Sequence, residues 1–164
     1  MRHFTMLGPV GLCVSLALTT ALTATPANAR KVSALSGQSG LIAQDQCLLA
    51  DTRSGNMGLR NTCTDPSLFA AFWIMPLALD TPGFKTITLT GRQTAANQIE
   101  CSVFGVLDSG TYSVLKTFPA FATDGTYSKQ SVTVPTSSAM AVEVWCSMVP
   151  NAPDARLLNL EYTP

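Results

Sequence analysis

From residue 83 onward, polar and apolar positions alternate with a period of two, the pattern of strands with one buried face. In "GFKTITLTGR" (83–92), Lys85, Ile87, Leu89 and Gly91 share one face; Phe84, Thr86, Thr88, Thr90 and Arg92 share the other. In "QIECSVFGVL" (98–107), Ile99, Cys101, Val103, Gly105 and Leu107 alternate with Gln98, Glu100, Ser102, Phe104 and Val106. In 140–149, Met140, Val142, Val144, Cys146 and Met148 make a wholly apolar face, opposite Ala141, Glu143, Trp145, Ser147 and Val149. "TYSVLKTF", "YSKQSVTV" and "ARLLNLEY" read as further strands, with Leu158, Leu160 and Tyr162 expected on one face of the last. Weaker strands are expected near 41–50 and within "NMGLRNT". The most apolar stretch, "LFAAFWIMPLAL", holds Pro76, which argues against a long helix and predicts a buried or edge strand at about 71–79.

Turn signals separate these runs. Pro82 and Gly83 make one, "DSG" at 108–110 another, and Asp124-Gly125 predicts a two-residue hairpin turn. Helical periodicity is nearly absent. About eight short strands with turns between them predict an all-β fold: a single-domain antiparallel β-sandwich of jelly-roll kind over 41–164, after a flexible lead-in at 30–40. The expected core holds Ile87, Leu89, Ile99, Val103, Val142, Val144, Leu158 and Leu160.

The start of the chain follows a different rule. Arg2 and His3 precede a mostly apolar run over residues 4–22, and Ala27-Asn28-Ala29 has the small-x-small pattern of a signal-peptidase site. Residues 1–29 are therefore expected to be a signal peptide cleaved after Ala29, with a secreted or periplasmic product. Gly8, Pro9 and Gly11 interrupt the run, so it is a poor membrane span, and no second long apolar segment follows. Ten Lys and Arg less Arg2 leave nine against ten Asp and Glu, a net charge of −1 on the expected product. The charges are scattered, which gives no footprint for nucleic acid or acidic lipid.

The only histidine, His3, lies in the expected signal peptide. Ser-His and Cys-His nucleophile pairs and histidine metal sites are thereby excluded from the product. No cofactor is expected. With Cys13 set aside, Cys47, Cys63, Cys101 and Cys146 remain, an even number that reads as two disulfides in an exported chain. Similar sequence context pairs Cys47 with Cys63 and Cys101 with Cys146. The second bridge joins either neighbouring strands or the two sheets. No CxxC spacing points to a metal, and no loop has the dense acidic alternation of an EF-hand.

The candidate site comes from the opposite faces of the cysteine-bearing strands. If those strands are neighbours paired at the cysteines, Trp145 lies opposite Ser102 and diagonal to Phe104. Either another segment covers these aromatics, such as 68–79, or they form an exposed platform. A platform would let apolar sugar faces stack on Trp145 or Phe104 while Glu143, Glu100 or Arg92 bonds hydroxyls. The product has only three glutamates, Glu100, Glu143 and Glu161, each on a strand face, which argues against a carboxylate-pair hydrolase. Two partner classes follow: a glycan or surface polymer for a non-catalytic binding module, or an envelope or extracellular protein for a structural or interaction protein.

Overall fold

The computed structural model describes residues 29–39, 47–51, 58–63, 71–137, 140–152 and 154–163. Eleven strands are found among them: β1 (Arg30–Ser33), β2 (Gln38–Ser39), β3 (Leu48–Asp51), β4 (Gly58–Asn61), β5 (Ala71–Leu77), β6 (Gly83–Arg92), β7 (Ile99–Leu107), β8 (Tyr112–Thr117), β9 (Ser128–Thr136), β10 (Met140–Met148) and β11 (Arg156–Tyr162). They form two antiparallel sheets. One runs β3-β4-β11-β6-β9, with β1 also paired to β11; the other runs β2-β5-β10-β7-β8. The fold is thus an all-β antiparallel sandwich, as the alternation predicts.

The core lies between the sheets. Met75, Val103, Val142, Val144, Cys146 and Met148 face Ile87, Leu89, Val134, Leu157 and Leu160, all essentially inaccessible. Each apolar side chain of this size contributes about 1.5–3 kcal/mol on burial. Trp73 also turns inward from β5, and its indole N–H donates to the Ala34 carbonyl. Pro76 lies past the two-residue pairing with β2, where one side of β5 has no described partner strand and a missing N–H is tolerated.

Four expectations are corrected. Residues 30–39, expected as a flexible lead-in, instead enter both sheets: β1 pairs with β11 and β2 with β5, joined by a short 3-10 turn at Ala34–Ser36. Asp124-Gly125 does not close a hairpin, because β8 and β9 belong to different sheets. The local bend is real, with Gly125 at φ 76° and the Asp124 carboxylate accepting from Thr126, but the segment carries the chain across the sandwich. Leu158 is only half-buried; a bulge between Leu157 and Asn159 turns Leu157 into the core in its place. The described part of the apolar 68–79 stretch, residues 71–79, does not lie over the rings as a separate layer, since residues 71–77 are β5, paired with β10 in the same sheet.

Both disulfides are formed, Cys47–Cys63 and Cys101–Cys146. The second lies within one sheet. Cys101 and Cys146 stand directly opposite on β7 and β10, with Cα atoms 4.1 Å apart, and their side chains point inward. The expected strand near 41–50 is described only from residue 47 on, and the expected signal peptide lies outside the described residues except for Ala29.

Candidate functional site

The cysteine register determines what the outer face of the five-stranded sheet carries. With Cys146 opposite Cys101, Trp145 lies opposite Ser102 and Glu143 opposite Phe104. Ser102 is small, which leaves room for the indole to lie across β7. There it meets Phe104, with ring centroids 4.6 Å apart and planes inclined by 32°. From the far side of β7, Tyr112 of β8 reaches the same indole at 5.2 Å. Such separations lie within the range of attractive aromatic pairing. The three rings form one patch above β7. Trp145 and Phe104 are half-buried by their neighbours in the patch, and Tyr112 is 51% exposed.

Every described strand belongs to one of the two sheets, so no third layer of described strands covers these rings. Val114 extends the patch beyond Phe104, and Phe72 and Pro76 extend it along β5; all three are exposed. The indole N–H donates to Glu143 Oε2 at 2.7 Å. That bond fixes the ring orientation and leaves Oε1 to accept from elsewhere. Beside the patch, along β7, lies a recess of about 380 Å³ bordered by Asn97, Glu100, Ser102, Thr117 and Pro119. The Ser102 and Thr117 hydroxyls are bonded to each other at 3.0 Å.

The opposite outer face differs in chemistry. Thr86 and Thr133 pair through their hydroxyls, as do Thr88 and Ser131, and Glu161 lies between Lys31 and Lys129. One sheet thus turns hydroxyls and ion pairs outward; the other turns aromatic rings outward.

Trp145, Phe104 and Glu143 come together as the alternation predicts. Glu100 shares their face but lies opposite Ser147, four residues along β7 from Phe104. Its strand position is therefore roughly 14 Å from that of Glu143, beyond the separation of a glycosidase carboxyl pair. Glu161 is on the other sheet, so the three glutamates form no catalytic pair. Arg92 is not at this site. It lies on β6 in the six-stranded sheet, against Asp154 and the Tyr127 ring. Tyr112 was missed as a site residue. Its only sequence signal is the "DSG" turn, which sets the β7–β8 register and brings Tyr112 opposite Val106. Among the described residues no group of three His, Cys, Asp or Glu gathers as a metal would require.

No family model matches the chain, and no curated protein matches it. Solved structures share its fold. The C-terminal CBM6 carbohydrate-binding module of LamC, a laminarinase from Zobellia galactanivorans, matches with a TM-score of 0.52 and 14% identity, over 84% of this chain and 100% of that module. The CBM36-1 domain of a multidomain xylanase from the hindgut metagenome of Trinervitermes trinervoides gives 0.54 and 11%, over 84% and 98%. A CBM36 module solved in complex with calcium and xylotriose gives 0.50 and 14%, over 81% and 98%. At such identities the likeness is one of fold: the chain has the β-sandwich architecture of carbohydrate-binding modules.

Proposed function

We propose that the chain is a non-catalytic glycan-binding module that holds saccharide on the outer face of its five-stranded sheet. The observation that carries this reading is the patch of Trp145, Phe104 and Tyr112, clustered over β7 with no described strand layer above it. The apolar C–H face of a pyranose stacks on such rings, and adjacent carboxylates accept from its hydroxyls. Trp145 supplies the stacking surface, Glu143 holds the indole and accepts from a hydroxyl, and Glu100 and Ser102 line the recess into which a longer chain continues. Arg92 takes no part.

The shared fold supports the choice of ligand class, and the xylotriose complex of the CBM36 neighbour makes a β-linked xylo-oligosaccharide the first probe. Among the described residues no three of His, Cys, Asp or Glu gather together, and no step of binding is derived through a metal. Export, with cleavage after Ala29, agrees with the two disulfides, which persist in oxidising compartments. No helix among the described residues is long and apolar enough to cross a membrane.

The test is calorimetric titration of the disulfide-intact protein with xylo- and gluco-oligosaccharides. Trp145→Ala is expected to weaken binding about thirtyfold or more, the behaviour of an interface anchor, while the protein remains folded. In a Trp73→Phe background, Trp145 is the only fluorophore of its kind, and its emission should shift on saturation. Unchanged affinity in Trp145→Ala would remove the patch from the binding site. No binding across the panel would favour the protein-interaction reading.

A further inference from the structure

The lysines and arginines of the described strands are segregated by sheet. On the five-stranded sheet the only one is Lys116 of β8; all the others lie on strands of the six-stranded sheet. Lys116 stands opposite Val103, whose side chain points into the core, and cross-strand partners share a face. Lys116 therefore does not share the outer face with the aromatic patch. Beyond the end of β5, the Arg30 guanidinium is already held by the Asp80 carboxylate and the Ala78 carbonyl.

The strand charges that do face outward here are all of one sign. Glu143 lies between Pro76 of β5 and Phe104 of β7, and Glu100 lies opposite Ser147. Asp108 adds a carboxylate in the turn after β7, two residues beyond Val106, the partner of Tyr112. Glu143 is also fixed in place. Its Oε2 accepts from the Trp145 indole N–H at 2.7 Å, which holds the carboxylate at the edge of the ring patch and leaves Oε1 to accept from a ligand. A neutral hydroxyl can satisfy that oxygen, but an ammonium does so with a charge-assisted bond of about twice the strength. The rings act in the same direction, because their negative faces attract cations, and indole does so most strongly.

We propose that the saccharide held on this face carries free amino groups: a glycan of amino sugars such as glucosamine, bound as ammonium against Glu143 and the rings of Trp145 and Tyr112. The inference rests on the reading of this face as the glycan site and specifies the charge of its ligand. The equatorial amino group of a glucosamine ring points outward from the stacked sugar, and the Glu143 carboxylate stands at the edge of the indole on which that sugar stacks. Further along β7, Glu100 takes the ammonium of a later residue in the chain. Ser102, Thr117 and Asn97 border the recess there and meet its hydroxyls. A lysine-rich peptide would answer the charge alone, without the C–H stacking or the hydroxyl-lined recess.

The test is calorimetric titration of the intact, disulfide-bonded protein at constant ionic strength. Three β-linked tetrasaccharides of one backbone are the probes: the glucosamine tetramer, its N-acetylated form and cellotetraose. Tetralysine is the charge control. At about pH 5.5, where the sugar amine is protonated, the glucosamine tetramer is expected to bind about tenfold or more tighter than either neutral tetramer. At about pH 8.5, above the usual range of an α-amino group, that preference should vanish. Cellotetraose affinity over the same range controls for the protein's own titrating groups. Glu143→Gln keeps an acceptor for the indole N–H and removes the charge, so the ratio of affinities should fall toward one. Trp145→Ala should weaken all three tetramers together. Equal or tighter binding of the neutral tetramers at the lower pH would overturn the proposal and leave the face a glycan site. Binding of none of the three would overturn both. A ratio unchanged in both Glu143→Gln and Glu100→Gln would also overturn the proposal. So would a glucosamine-tetramer affinity that survives Trp145→Ala or that tetralysine matches, the ligand then lying elsewhere or being held by charge alone. If a variant does not fold, the wild-type ratio at the two pH values decides the matter.

Discussion

Gln93 is fully buried, and its amide joins two segments distant in the chain. Nε2 donates to the Phe121 carbonyl at 2.8 Å, Oε1 accepts from the Ile99 N–H at 3.2 Å, and its backbone carbonyl accepts from Gly125 at 3.0 Å. The turn into β7 is thereby tied to the segment that crosses between the sheets. Gln93→Ala should leave the Phe121 and Ile99 groups without these partners, and should lower the unfolding free energy by at least about 1–3 kcal/mol in a urea titration. A change within about 0.5 kcal/mol, the scale of a surface substitution, would show that these bonds are not formed. Glu161 makes a second prediction at this scale. The hydrogen bond from Lys129 holds its carboxyl below the ordinary value, with the charges of Lys129 and Lys31 acting in the same direction. A lowered folded-state value stabilises the fold above the ordinary carboxylate range, and that contribution is lost as pH falls through the lowered value. Lys129→Met should therefore flatten the decline in melting temperature from about pH 5 downward. An identical acid limb in the variant would show that the pair contributes nothing.

Strand β11 shows what alternation resolves and where it stops. Counting back from Leu160 in twos puts Leu158 in the core, but the bulge resets the parity and buries Leu157 instead. Leu157→Ala should cost about 2–5 kcal/mol as a large-to-small core change, and Leu158→Ala clearly less. Equal costs in thermal unfolding would place both side chains in the core. Strands β6, β7 and β10 were legible because nine or ten residues give several turns of the period. β1 and β2 were not, because four and two residues give too few, and their pairing partners lie far along the chain. Asp124-Gly125 failed for a related reason. A turn signal reports the local bend, whereas a hairpin also requires both flanking strands to join the same sheet.

For the whole molecule, the disulfide carried the most information. Pairing Cys101 with Cys146 made β7 and β10 neighbours, and parity then brought Trp145, Phe104 and Glu143 to one outer face. Arg92 shared only their outward parity; which sheet it joined was a non-local fact, and it lies on the other side of the sandwich. The molecule presents two outer faces of unlike chemistry, and salt separates them. A neutral saccharide on Trp145, Phe104 and Tyr112 forms no ion pair, so its affinity rests on stacking and hydrogen bonds that mobile ions barely screen. Raising the salt from about 0.05 to 0.5 M, which shortens the Debye length severalfold, is expected to change the dissociation constant less than about twofold. Saturation at a hundredfold excess over that constant should stabilise the fold by about 2.7 kcal/mol, read as a rise in melting temperature. A steep loss of neutral-saccharide affinity with salt would place the ligand near charge, on the face that carries the ion pairs, and would take the aromatic patch out of the binding step.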